Sequence, residues 1–106
     1  MDIEITASEA AEAIADGVEA ATGLRCKAYT SGLGDAIVMC DTTHAITRIT
    51  PLFSVMDVTP IAGPFVDDTA QIPLKIRSVY ELREAAHAID EAIAHAIGAA
   101  LEIRRS

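Results

Sequence analysis

The fold is decided by residues 69–105, whose sequence is TAQIPLKIRSVYELREAAHAIDEAIAHAIGAALEIRR. The first part of this stretch alternates apolar and polar residues, which is typical of a half-buried strand. The apolar members are Ile72, Leu74 and Ile76. Ser78 then stands three residues before Glu81, a capping box that predicts a helix beginning at Val79. We therefore expect one strand that leads directly into one long helix.

The predicted C-terminal helix carries an apolar stripe at helical spacing, which we expect to face the sheet. Its members are Leu82, Ala86, Ile89, Ile93, Ile97, Ala100 and Leu101. Ile89 and Ile93 lie at the middle of the stripe, so we expect them to contact the preceding strand. Pro73 lies within that strand and has no N–H, which predicts that the strand is at a sheet edge near this residue.

The earlier residues predict one more helix and further strands. Thr6 and Glu9 form a second capping box, and the helix that it begins is expected to end near Thr22. Strands are expected at residues 24–30, at residues 36–40 (an apolar run buried on both faces) and within residues 44–59, where Pro51 predicts a bulge, bend or edge. The fold class is α+β: a mostly antiparallel sheet of about four strands with an N-terminal and a long C-terminal helix packed on it.

The composition limits the class of protein. The chain has 106 residues, of which 51% are hydrophobic, and this predicts a single domain over residues 1–106. The formal net charge is −8, and six acidic residues precede the first basic residue, Arg25. Binding to nucleic acid or to an anionic membrane needs clustered basic residues, so the sequence argues against both. Small side chains dominate the core candidates, which favours a chain that associates with other copies.

Two further features of the sequence concern location and redox state. The N-terminus is acidic and helix-like, so no secretion signal is expected, and no apolar run approaches the roughly 20 residues that a membrane span needs. Cys26 and Cys40 lie in predicted strands. In a chain without an export signal we expect both to be reduced core residues.

The C-terminal helix carries a set of residues that resembles part of a metal site. Glu84, His87, Glu91 and His95 are spaced so that all four lie on one helix face. A Glu-x-x-His pair is half of a carboxylate-bridged metal site, but one straight helix cannot surround an ion. The alternative is a solvated face with helical Glu–His pairs. We expect the solvated face, and therefore no metal ligand.

A second candidate is the segment from Cys40 to His44, which brings a thiol, the carboxylate of Asp41 and an imidazole together in sequence. A Cys–His nucleophile pair is one interpretation, and a core thiol beside a polar turn is the other. The spacing matches no specific protease or zinc pattern. The residues alone therefore offer no catalytic motif.

Two segments resemble small tail terminator (tail-completion) proteins of long-tailed phages. The first is AIADGVEAATGLR at residues 13–25, followed by AY at 28–29 and DAIV at 35–38; the second is QIPLKIR at 71–77, followed by ELREAA at 81–86 and ID at 89–90. These match a family pattern of a helix that ends near TGLR, two strands, and a later strand that leads into a helix. The proline pair that the family has before its second strand is replaced here by Gly34-Asp35.

The resemblance implies a structural virion protein, made in the host cytoplasm, that acts without catalysis or cofactor. It implies a hexameric ring that caps the tail tube and meets the head connector, and DNA would pass through this ring without specific binding. Exposed loops would carry the contacts between rings, and Asp67 and Asp68 in the predicted loop at residues 61–68 are the candidate interface residues. Two alternatives remain: a metal-binding protein or metal-dependent enzyme using the C-terminal helix face, and a cellular dimeric adaptor domain.

Overall fold

The computed structural model describes residues 2–105, which form two helices and seven strands. In chain order the elements are β1 (Ile3–Glu4), α1 (Ala7–Thr22), β2 (Cys26–Thr30), β3 (Ala36–Cys40), β4 (His44–Pro51), β5 (Val55–Pro60), β6 (Ala70–Pro73), β7 (Lys75–Ile76) and α2 (Val79–Arg105). The predicted α+β class is confirmed, because both helices pack on an antiparallel sheet. Among the described helices, none is long and apolar enough to cross a membrane.

The main sheet has five strands rather than the predicted four, in the order β2-β3-β4-β5-β6, and every neighbouring pair is antiparallel. The difference arises around Pro51, which ends β4 instead of bending one longer strand. A turn follows, in which the Leu52 N–H donates to the Val55 carbonyl oxygen at 2.8 Å, and β5 begins. The bulge lies instead in the pairing of β3 with β4.

The strand expected before the C-terminal helix divides at Leu74. The Leu74 N–H donates to the Ser54 carbonyl oxygen at 3.1 Å, whereas its own carbonyl oxygen accepts from the Ile5 N–H at 2.8 Å. The chain therefore leaves the main sheet at this residue, and β7 pairs with β1 in a separate two-stranded ribbon. The predicted edge position of Pro73 is confirmed, since β6 is the last strand of the main sheet.

Both helices lie on the same face of the main sheet and run in the same direction. α1 contacts β2, β3 and β4, whereas α2 contacts β4, β5 and β6. Gly17 of α1 faces Ile93 of α2, and further along both helices the Arg104 guanidinium donates to the Thr22 carbonyl oxygen at 2.9 Å. The missing side chain at Gly17 lets the two helices approach closely, because a Cβ there would lie 3.0 Å from the Ile93 side chain.

The predicted orientation of α2 is wrong by part of a turn. The buried side chains are all alanines: Ala85, Ala88, Ala92, Ala96, Ala99 and Ala100. Leu82 and Leu101, the ends of the predicted stripe, are 41% and 38% exposed, and Ala86 is also exposed. Ile89 and Ile93 are half-buried at the flank of the buried face. Alanine allows the helix to lie close to the sheet, so the larger isoleucines are placed beside that contact rather than within it.

The predicted helix caps are present in the structure. Thr6 and Glu9 form the reciprocal capping box of α1, and Gly23 follows with φ +75°, a left-handed conformation that suits glycine. At α2 the Glu81 N–H donates to the Ser78 hydroxyl at 3.1 Å. The Glu81 carboxylate accepts from the Arg77 N–H at 2.6 Å, one residue before the position that a reciprocal capping box requires.

The second face of the main sheet is covered by no described element. In β3 the alternate residues Ala36, Val38 and Cys40 are fully buried under the helices, whereas Ile37 and Met39 are only half-buried on the other face. The expectation that residues 36–40 are buried on both faces is therefore wrong. One buried and one open face are common in antiparallel sheets.

Candidate functional site

A groove of about 670 Å³ runs beside the free edge of β6. We call it the edge groove and define it by Asp57, Gln71, Pro73, Glu84, His87 and Glu91. One wall is the exposed flank of α2, and the other is the edge of the sheet. Ala88 and Val55 add apolar surface between the charged groups. The groove therefore joins a free strand edge to a mostly acidic helix flank.

Three of the four residues of the candidate metal face line this groove. Glu84, His87 and Glu91 belong to the helix wall, and Nε2 of His87 lies 3.9 Å from a carboxylate oxygen of Glu91. The Glu84 carboxylate also accepts a hydrogen bond from the Tyr80 hydroxyl, which raises the pKa of this exposed tyrosine. The helix wall thus continues toward the start of α2.

His95 is separated from the other three. Its ring stacks on Phe65 with 4.6 Å between ring centroids, and its Nε2 lies 3.8 Å from a carboxylate oxygen of Asp68. Only 15% of the His95 side chain is exposed. The loop between β5 and β6 covers this part of α2, whereas it leaves the earlier part of the helix open.

The distribution of these side chains bears on the metal alternative. Across residues 2–105, no group of three or more His, Cys, Asp and Glu side chains converges to hold a metal ion. In the edge groove the nearest carboxylate on the sheet wall, Asp57, accepts a hydrogen bond from the Gln71 side-chain amide at 3.0 Å. Glu84, His87 and Glu91 follow one another along a single helix wall and do not converge on one point, as the ligands of an ion must.

The two candidate interface residues, Asp67 and Asp68, lie exposed in the loop at residues 61–68. This loop is held against α2 by close contacts at two glycines. A Cβ on Gly63 would lie 2.5 Å from the Ala99 Cα, and a Cβ on Gly98 of the helix would lie 2.8 Å from the Phe65 ring. The acidic pair is therefore presented from a packed loop, with Asp68 beside His95.

Cys40 and His44 are paired across the turn between β3 and β4. The thiol is nevertheless fully buried under the helices, and burial raises its pKa. The His44 Nδ1 lies 2.9 Å from the Thr43 hydroxyl, within hydrogen-bonding distance. A catalytic cysteine needs a lowered pKa and access to substrate, so this geometry favours the core thiol beside a polar turn.

The structure brings Cys40 opposite Cys26, which the sequence reading did not detect. The two residues are register partners in β2 and β3, and both thiols are free. Burial, followed by the neighbouring Cys40 thiol, raises the pKa of Cys26 to about 12. The signal in the sequence was the turn at residues 31–35, because counting outward from it pairs residue 26 with residue 40.

Apolar side chains are exposed at the end of the molecule where the β2–β3 and β4–β5 turns lie. We call this the hairpin end and define it by Leu33, Leu52, Phe53, Val79 and Tyr80. The strands run up and down in sequence, so both turns and the start of α2 share this end, and the loop at residues 61–68 lies at the other. Phe53 is fully exposed and, with Glu81 of α2, lines a second cavity. The sequence reading placed this phenylalanine in a strand and missed its exposure.

The function of the chain must be argued from these features of its own residues. The edge groove, the hairpin end and the acidic loop are its three distinctive surfaces. No protein-family model, no curated protein and no solved structure matches the chain.

Proposed function

We propose that the chain is a structural subunit of a phage virion, a tail terminator or neck ring protein that caps the tail tube and joins it to the head connector. The observation that carries this proposal is the hairpin end, where a phenylalanine is fully exposed at the tip of a β-turn. Large apolar side chains exposed at one end of a molecule are typical of a surface that another protein covers. The segments at residues 13–38 and 71–90, whose sequence resembles tail terminators, indicate which assembly this would be: the tail or neck of a phage.

A joining subunit has to meet different neighbours through different surfaces, and the two ends of this chain differ in their exposed side chains. The hairpin end exposes Phe53 and other large apolar side chains, whereas the opposite end presents Asp67 and Asp68 beside the half-exposed Val66. The molecule extends 43 Å along its longest axis. In a ring of such subunits, the acidic loop at one end would therefore be free to meet a neighbouring ring.

The charge of the chain also fits a ring through which DNA passes. Each subunit carries a formal net charge of −8, so six subunits together repel the phosphate backbone instead of binding it. Ring closure requires a heterologous contact, in which two different patches of one subunit meet the complementary patches of its neighbours. The hairpin end and the open face of the main sheet are the patches that we propose for this contact.

The native mass of the purified protein tests the assembly. We expect a species larger than a dimer, growing with protein concentration, and we expect Phe53→Ser to reduce it while leaving the denaturation midpoint unchanged. Val66→Ser is the matched control, because it removes a half-exposed apolar side chain from the opposite end. A strict monomer at millimolar concentration, with no assembly on added partners, would contradict the ring.

The same measurement separates the alternatives. A stable dimer that does not enlarge would favour the cellular adaptor. The metal-binding alternative is favoured by one observation, the presence of Glu84, His87 and Glu91 on one groove wall. Calorimetric titration with zinc and manganese is expected to show no submicromolar binding; such binding, if abolished by His87→Ala, would replace our proposal with a metal-dependent function.

A further inference from the structure

We propose that the edge groove binds an extended, basic segment of a partner protein, which adds to the main sheet as a sixth strand beside β6. This inference goes beyond ring assembly, and it does not require that the chain forms a ring. It depends on three observations: the free backbone groups of β6, the acidic walls of the groove, and the state of the opposite sheet edge.

The backbone of β6 has free hydrogen-bonding groups on the groove side. In an antiparallel ladder, bonded and non-bonded residue pairs alternate. The Leu74 N–H donates to the Ser54 carbonyl oxygen, so the next bonded pair is Ile72 with Met56. The backbone groups of Gln71 and Pro73 therefore point away from β5 and into the groove.

Pro73 fits this arrangement, because the N–H that it lacks would have pointed outward. The edge thus offers one donor, the Gln71 N–H, and two acceptors, the carbonyl oxygens of Gln71 and Pro73. An added strand satisfies such groups with its own backbone, and its alternate side chains then enter pockets on the two sides. Four residues of β6 are enough to set the register of an incoming strand.

The walls of the groove select the charge of that strand. Glu84 and Glu91 lie on the helix wall and Asp57 lies on the sheet wall, with His87 between the two glutamates. Alternate residues of an added strand lie on one face of the sheet, so lysine or arginine at alternate positions places its cations against Glu84 and Glu91 of the helix wall while its backbone pairs with β6. An acidic segment meets repulsion from both walls.

The opposite sheet edge argues against a second copy as the occupant. The Cys26 N–H of β2 already has a partner within the chain, because it donates to the Glu19 carboxylate at 3.0 Å. Glu12 and Asp16 lie on the same face of α1 as Glu19. Adding β2 of another copy to β6, with all helices on one side of the sheet, would bring these acids against Glu84 and Glu91.

The test uses the full chain and a blocked peptide of about six residues, the usual length of a strand, that alternates lysine and threonine. Titration is followed by amide NMR. We expect the Gln71 amide to shift and to become protected from exchange. The same peptide with alternate backbone nitrogens methylated keeps its charge but loses the edge hydrogen bonds, and we expect it to bind about tenfold more weakly.

Two pairs of variants complete the test. Glu91→Lys is expected to weaken binding about tenfold, whereas Glu12→Lys changes the net charge equally on the exposed face of α1 and should leave it nearly unchanged. Gln71→Pro removes the outward N–H and should also weaken binding. The proposal would be overturned in favour of unspecific charge attraction if Glu91→Lys and Glu12→Lys weakened peptide binding equally. It would also be overturned if the methylated peptide bound as tightly as the unmethylated one. Concentration-dependent protection of the Gln71 amide without peptide would overturn it in favour of a second copy.

Discussion

The two halves of α2 have different surroundings. In the half after Ile93, residues 95–100 are covered by the sheet, by α1 and by the loop at residues 61–68, which approaches so closely that Gly63 contacts the Ala99 backbone. The half before Glu91 packs on the sheet through alanines and leaves its other flank open to the edge groove. One helix therefore stabilises the fold in its second half and offers a docking surface in its first. The difference is made by a loop that covers only part of the helix.

The largest effect is expected where the loop meets the helix. Gly63→Ala places a Cβ 2.5 Å from the Ala99 Cα and forces alanine to adopt φ +88°. We expect a loss of about 3 kcal/mol in the free energy of unfolding, measured by urea denaturation. Gly23→Ala is the matched control, because Gly23 has φ +75° and nothing within 4 Å of the added Cβ. It should cost about 1 kcal/mol. Equal midpoints for the two variants would mean that the loop does not pack on the helix.

A smaller effect is expected at the boundary between the two halves. Ile93 is half-buried against Gly17 of α1, so Ile93→Ala should lower the free energy of unfolding by about 2 kcal/mol, at the low end of the range for truncated core residues. Glu91 is exposed in the groove, and Glu91→Ala should change stability by no more than about 0.5 kcal/mol. Chemical denaturation of both variants measures this difference. Similar midpoints would show that Ile93 does not face α1 and that the helix is rotated about its axis relative to the structure.

The smallest expected change in stability concerns the two histidines of α2. His95 stacks on Phe65, and loss of such an aromatic pair should cost about 1 kcal/mol in His95→Ala. His87 lies in the open half with an exposed side chain, so His87→Ala should stay within about 0.5 kcal/mol. A solvated face, as expected from the sequence, would make both effects equally small. Thermal denaturation that ranks the two variants equally would support that first expectation and contradict the enclosure of the second half.

Local signals in the sequence predicted local structure well. The capping residue Thr6 and the glycine after α1 act within one turn of helix, and both are where they were expected. The orientation of α2 was predicted less well, because the isoleucines dominate any hydrophobic pattern. Which face is buried depends on how closely the sheet approaches, and that distance is set by Ala92 and its neighbours rather than by Ile93. The fifth strand was missed because the turn after Pro51 contains no glycine.

The candidate site was predicted only in part, because local spacing in the sequence does not reveal contacts between distant segments. Spacing along one helix correctly placed Glu84, His87 and Glu91 on a common flank. It could not show that His95 is covered, since Phe65 reaches it from a loop thirty residues earlier in the chain. The free edge at Pro73 was predicted from the missing N–H, but the groove also needs α2 beside it, which is a tertiary contact.

The parallel arrangement of α1 and α2 gives the molecule an electrical polarity. Each helix dipole is equivalent to about half a charge at either end, so two aligned helices place roughly one positive unit near the hairpin end and one negative unit at the other. Arg104 lies where the two negative ends meet, and its bond to the Thr22 carbonyl oxygen offsets part of their mutual repulsion. Copies stacked in the same direction bring unlike ends together, whereas copies stacked in opposite directions bring like ends together. The polarity of a single chain thus favours head-to-tail stacking.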